Sequence, residues 1–257
     1  MRTYVITGAA SGIGAATADR IRADGHRVVG VDLRDADIIT DLGTDDGRRR
    51  LVDEVANRAD TVDAVVANAG LMGDTETMVR VNFFGAVATL DGLRPLLARG
   101  SDPRAAATAS VALVHRVHDG LVSACLDHDE ERACAIAVDE HLDAFTVYAS
   151  TKRALARWVR TRAPMPDWAG AGIALNAVAP GTIRTPMTQP LLEDPAFTDI
   201  LDASVPMPFG GVAEPDAVAA AFAFLTAAGT ARITGQVLFV DGGADCVLRG
   251  NDIFGQR

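Results

Sequence analysis

The opening residues narrow most sharply what this chain can fold into: an apolar run, a glycine-punctuated turn, an amphipathic stretch, and a second apolar run ending in a carboxylate. Thr3 to Thr7 reads as one strand and Val28 to Val31 as another, with Asp32 at its end. Between them Gly8, Gly12 and Gly14 lead into a helix carrying Ile13, Thr17, Arg20 and Ile21. Strands joined through a helix lie parallel, so this unit commits the chain to a parallel sheet covered by helices. The spacing is GxxxGxG, and its physical use is close approach. Backbone bare of Cβ, at a helix N-terminus, can meet a pyrophosphate. Asp32 stands where a carboxylate would accept from both hydroxyls of a ribose.

The alternation of strand and helix patterns continues along the 257 residues, a length at the upper end of one domain. The expectation is a single domain over 1–257, without internal repeats, and with the loops at Gly100 to Arg104 and Pro164 to Gly172 as turns within the fold. The first strand begins by residue 3 and no apolar run is long enough to span a bilayer. Three irregularly spaced cysteines read as free thiols of a reducing compartment. The expected location is therefore cytoplasmic. A net charge of −10 argues against nucleic acid and anionic membrane as partners.

Tyr148 and Lys152, in VYASTKRAL, lie one helical turn apart on a shared face. A tyrosine titrates near 10, so making it a base near pH 7 to 8 takes about 3 to 4 kcal/mol. A neighbouring cation can supply that by favouring the phenolate. The pair reads as an acid/base device with a lowered phenol pKa.

Together the opening unit and YASTK resemble the short-chain dehydrogenase/reductase family, over essentially the whole chain. The resemblance implies a Rossmann-like, doubly wound α/β fold with helices on both faces of one sheet. It also implies hydride transfer between a secondary alcohol or ketone and a nicotinamide cofactor, with Asp32 selecting NAD. Tyr148 then becomes the acid/base, and Lys152 also binds the nicotinamide ribose. Gly8, Ser11, Gly12, Ile13 and Gly14 cradle the pyrophosphate, and Leu33 follows the ribose-binding Asp32. Asp41 and Leu42 hold the adenine, and Asn68, Ala69 and Gly70 form the NAG after the fourth strand. Asn82, in VNFFG, matches the asparagine that keeps a water in the proton path. Pro180, Gly181, Thr182, Ile183 and Thr185, after the strand Ala174 to Ala179, grip the nicotinamide carboxamide, and GQVLFVDGG is the closing strand and turn.

The family also implies a serine that orients the substrate oxygen, but its usual place relative to the tyrosine is held here by Ala135. Ser110, ending AAATAS, is the choice over Ser123, because open α/β sheets deliver their site residues at strand ends. Ser123 lies in LVSACL, which looks helical.

The segment 115–143 is then an insertion. Ala133, Ile136 and Ala137 form an apolar stripe, and the acids Asp129, Glu130, Glu131, Asp139 and Glu140 read as a solvated helix face. Its His and Cys residues have no paired-ligand spacing, so no metal site is expected. This serine spacing, with AASGIGAAT and AEPDAVAAAFAFL, is similar to the bacterial hydroxysteroid dehydrogenase/carbonyl reductase group. The implied substrate is hydrophobic and alicyclic. Met187, Leu191, Leu192, Phe197, Ile200 and Met207 form an apolar lid that either meets such a substrate or packs on its own domain. Another secondary alcohol is an open alternative. A non-catalytic NAD-binding regulator would be expected to lack Tyr148, Lys152 or Ser110, and none is missing. The insertion precedes the YASTK helix, so a homodimer is expected through the other face, with Ala217, Val218, Ala221, Phe222 and Leu225 as candidate contacts, some of which inward packing explains equally well.

Overall fold

Thr3–Thr7 (β1), Gly12–Ala23 (α1) and Arg27–Asp32 (β2) form the opening unit in a computed structural model. It describes residues 1–229, 232–251 and 253, with backbone only at 195–198. The chain continues through Ile38–Ile39 (β3), Asp45–Arg58 (α2), Ala64–Ala67 (β4), Thr75–Val79 (α3), a π-helical run Arg80–Gly85 and Ala86–Leu97 (α4). Next come Arg104–Thr108 (β5), a 3₁₀ turn at Val111–Val114, Asp119–Leu126 (α5), Glu130–Asp139 (α6) and Ala144–Arg162 (α7). Ala174–Pro180 (β6), Gln189–Glu193 (α8), Pro195–Ser204 (α9), Pro215–Thr226 (α10), Val237–Val240 (β7) and Ala244–Arg249 (α11) complete it.

The seven strands pair in parallel in the order β3-β2-β1-β4-β5-β6-β7. The order reverses at β1 and β4, and ligands of such sheets bind outside the carboxyl ends of the strands at that reversal. Register aligns Thr7 with Val31, Ala67 with Ala107, and Thr108 with Val178. Gly8, Asp32, Asn68 and Ser110 therefore leave the sheet along one edge.

Alternation along β1 builds the two core layers. Val5 packs with Val29, Leu51, Val65, Phe83, Leu90 and Trp158 on the α2, α4 and α7 side. Tyr4 and Ile6 face Ile21, Val66, Val178 and Phe222 under α1 and α10. Burying a side chain of this size contributes roughly 1.5 to 3 kcal/mol. β5 is a strand despite its three successive alanines, because it is wedged between β4 and β6 and covered on both faces, where tertiary fit overrides propensity.

Two sequence expectations are corrected here. The acids of α6 are not uniformly solvated. Glu130 forms ion pairs with Arg48 and Arg80, because the helix N-terminus is laid against the π-helical run, while Glu131 and Asp139 remain exposed. On α10, Val218, Phe222 and Leu225 are buried in the chain's own core, since the helix packs along α1, leaving Ala217 exposed and Ala221 partly so. The three cysteines are free, with Cys125 and Cys134 buried and Cys246 exposed. No helix among the described residues is long and apolar enough to cross a membrane.

Candidate active site

A chain of hydrogen bonds runs across the sheet edge into α7, part-buried at its start and buried at Lys152. Thr7 Oγ1 accepts from the Asn68 and Ala69 amides at 3.0 Å, and Asn68 Nδ2 donates to the Thr7 carbonyl at 3.2 Å. Asn68 Oδ1 accepts from the Thr108 hydroxyl at 2.9 Å, and the Thr108 carbonyl accepts from Lys152 Nζ at 2.8 Å. Lys152 is thus fixed by three adjacent strands, and its ammonium lies 5.7 Å from the centroid of the Tyr148 ring. Ser110, two residues beyond β5, lines the same cleft as the Tyr148 phenol and draws its pKa down, and its Oγ accepts from the Ala112 amide at 3.1 Å. The strand-end position of Ser110 brings it to Tyr148, whereas Ser123 is exposed on α5.

The electrostatics correct the expectation of a lowered phenol. Desolvation holds the Tyr148 pKa above its ordinary value, with the Ser110 hydrogen bond pulling the other way. Lys152 is not among the groups that shift the phenol, and its own pKa is pushed down by burial to about 8. The phenol is therefore a neutral proton donor at pH 7.

These groups share one cleft of about 360 Å³ with the glycine turn and Asp32. Gly8, Ser11, Gly12, Ile13, Asp32, Leu33, Asp41, Leu42, Asn68, Ala69, Gly70, Pro180, Gly181, Ile183 and Thr185 line it. The turn needs its glycines: Gly8 and Gly12 have φ of +69° and +53°, a region that favours glycine. A Cβ on Gly70 would stand 3.2 Å from Lys152 Nζ. Asp32 receives the Ala10 and Leu33 amides at 2.9 and 2.7 Å, which aims the carboxylate across the turn and leaves each oxygen with acceptor capacity.

Three of the predicted site residues stand outside the lining. Gly14 supports the turn from within α1. Asn82 clamps the Leu71 backbone, accepting from its amide at 2.8 Å and donating to its carbonyl at 2.9 Å. Thr182 is buried, and its amide donates to Met207 Sδ at 3.2 Å. Of the apolar lid, Met187 lines the cleft, Leu191 and Leu192 are half-buried on α8, Ile200 is exposed, Met207 packs elsewhere, and Phe197 lies outside the described side chains. Sequence reasoning missed Thr40, Leu71, Thr77, Val81, Thr108 and Thr188, all of which line the cleft. Thr108 alone had a signal, its place at the end of a strand entering the site.

The two serines give a direct expectation. Ser110→Ala removes the hydroxyl read from the sequence as the donor to a substrate oxygen, a type of loss that costs about 10²- to 10³-fold in kcat. Ser123→Ala, exposed on α5, leaves kcat unchanged. Steady-state rates of the two variants check both, and equal activity would reject the placement of Ser110 in the site.

Comparison with known proteins gives the following likenesses. The family model described as short chain dehydrogenase matches residues 2–122, and one described as Enoyl-(Acyl carrier protein) reductase matches 134–245. The 3-alpha-hydroxysteroid dehydrogenase/carbonyl reductase of Comamonas testosteroni is 39% identical, over 97% of this chain and 98% of that one. The 3beta-hydroxysteroid dehydrogenase 1 of Eggerthella lenta is 30% identical over 94% and 93%. The crystal structure of the 3-alpha-hydroxysteroid dehydrogenase from Pseudomonas sp. B-0831, complexed with NADH, superposes with a TM-score of 0.90 at 38% identity, covering 98% of this chain and 100% of that one.

Proposed function

The chain belongs to the short-chain dehydrogenase/reductase family of oxidoreductases, which use NAD or NADP, and from that premise we propose that it interconverts a hydrophobic alicyclic secondary alcohol and its ketone with NAD. The observation that carries the reading is the meeting of Ser110, Tyr148 and Lys152 in the same cleft as the glycine turn and Asp32. When bound, the nicotinamide cofactor accepts or supplies the hydride. Tyr148 takes or returns the proton of the substrate oxygen, and Ser110 orients that oxygen and offsets its developing charge. Lys152 would hold the nicotinamide ribose hydroxyls, and Asp32 those of the adenine ribose. The Gly8–Gly12 backbone would receive the pyrophosphate, Asp41 and Leu42 the adenine, and Ile183 and Thr185 the carboxamide. Asn82 acts on this site through Leu71.

NAD is favoured because a 2′-phosphate beside Asp32 would set like charges about 4 Å apart, costing on the order of 4 kcal/mol per pair at an effective dielectric near 20. Arg34, two residues on, is exposed and softens this. The expected kcat/KM preference for NAD is at least about tenfold; a preference for NADP would overturn the assignment of Asp32.

A 3-hydroxysteroid is the leading substrate, on the 39% likeness to an enzyme so named and on Leu71 and Met187 in the lining. NADH formation across a panel of steroid, monocyclic and polyol alcohols tests this. Turnover of steroid 3-hydroxyls supports it, and turnover confined to polyols rejects it. We take 1–257 as one cytoplasmic domain that pairs as a homodimer through the α10 and β7 face, where Ala217 and Leu238 are exposed. A stable tetramer in light scattering contradicts that pairing.

A further inference from the structure

Arg48, on α2, is a buried arginine with every N–H donor spent. Its Nε donates to the Leu42 carbonyl at 2.8 Å and its Nη2 to the Arg80 carbonyl at 2.9 Å. The Glu130 carboxylate takes it in two-pronged fashion, at 2.6 Å to Nη1 and 2.8 Å to Nη2, and Asp45 takes the remaining proton at 3.3 Å. The Arg48 side chain is 10% exposed and that of Glu130 20%, whereas Asp45 is 76% exposed. Glu130 is thus the main counter-charge. Paired charges of this geometry bind roughly twice as strongly as neutral hydrogen bonds, and a buried guanidinium deprived of its partner must move or recruit solvent.

What Arg48 holds at its other end is the Asp41–Leu42 turn, which lines the cleft. The Leu42 carbonyl is closely packed. Gly85 presses so close that an added Cβ would stand 3.0 Å from that oxygen. On the far side of the same turn, a Cβ on Gly47 would overlap the Asp41 carbonyl oxygen at 1.8 Å. The turn is wedged between two glycines and closed on itself by Thr44, whose amide and hydroxyl donate to the Asp41 carbonyl at 3.2 and 3.0 Å, and by the Gly43 amide on the Asp41 carboxylate at 2.8 Å; the Arg48 guanidinium is what ties it to α2. That guanidinium is in turn fixed by a carboxylate from α6, a helix with no residue in the cleft lining.

We propose that Glu130 is a positioning residue for the adenine end of the cleft. Through Arg48 it sets the shape of the Asp41–Leu42 backbone, and with it the affinity for the adenylate half of the cofactor. This rests on the reading of Asp41 and Leu42 as the adenine edge. Arg80, bonded to Glu130 at 3.1 Å and to Glu76 at 2.7 Å, orients the carboxylate from the other side.

Glu130→Gln keeps the shape and removes the charge. The dissociation constants for NADH and for AMP, read by fluorescence and calorimetry, are expected to rise about tenfold, within the usual range for coupled sites. Binding of nicotinamide mononucleotide and kcat at saturating NAD stay within about twofold, as the coupling touches one end of the cleft. Glu131→Gln, at an exposed position on the same helix, changes none of these. A folded Glu130→Gln with unchanged AMP affinity overturns the proposal. Coupling is reciprocal, so hydrogen exchange on the wild-type chain provides a second test that does not depend on any variant folding. AMP should slow exchange at 40–43 and also at 130–134. Protection at 40–43 alone overturns the proposal, and protection at neither rejects the adenine placement beneath it.

Discussion

Tyr148→Phe is expected to bind NADH with unchanged affinity and to lose about 10²- to 10⁴-fold in turnover, the usual worth of a positioned general acid or base. The substitution deletes one hydroxyl and little volume, so the ring still fills its place over Lys152. The raised pKa of the phenol gives this prediction a direction in pH. At neutral pH the group carries its proton and can donate it to a ketone, so reduction is at its best there. As pH climbs toward the phenol's pKa, the phenolate fraction grows, alcohol oxidation speeds up, and reduction slows. Opposed limbs in the pH profiles of oxidation and reduction for the wild type, and a flat residual profile for Tyr148→Phe, are the expected result. A variant with near-normal turnover at pH 8 rules out the mechanism.

Gly14→Ala is expected to be the most damaging single methyl in the molecule's glycine turn. The added Cβ would sit 2.0 Å from the Gly8 carbonyl oxygen and 2.7 Å from Asn68 Nδ2. Both neighbours are fixed, one by the turn and the other by the Thr7 carbonyl. Relief therefore requires α1 to lift from the turn, which on the proposed reading receives the pyrophosphate. Overpacking of this kind costs about 1 to 3 kcal/mol or more, and the displaced turn should weaken NADH by about 10²-fold or more, since binding geometry tolerates little error. Gly170→Ala, whose Cβ would meet nothing nearer than 3.5 Å, serves as the neutral comparison. Thermal melts and NADH titrations decide it; a Gly14→Ala protein with wild-type affinity would show that the turn can yield.

The parts of this structure that were legible in sequence are those whose signals are local. Glycines at positive φ, an acid closing a strand and a helical i, i+4 pair all announce themselves within a few residues. The strand-end rule was enough to favour Ser110 over Ser123. What escaped depends on partners far along the chain. The Tyr148 pKa turns on burial, and that is not written in YASTK. Glu130 reads as one more acid on a polar face until Arg48, on another helix, is brought to it. Thr182 lies outside the cleft lining, and a loop after a strand has no period from which to read its facing. The α10 stripe marks an apolar face without saying whether α1 or a second subunit covers it.

Reaction and recognition are housed in materials of different stiffness. The reacting groups hang from strand ends and a helix walled into the core, tied by the Thr7–Asn68–Thr108–Lys152 bonds. Met187 and Ile200 belong instead to the exposed segment after β6. Exposed positions usually accept replacement within about 0.5 kcal/mol, so on the proposed reading a change at Met187, which is exposed and lines the cleft, can alter what the cleft admits while the hydrogen-bonded groups behind it stay as they are.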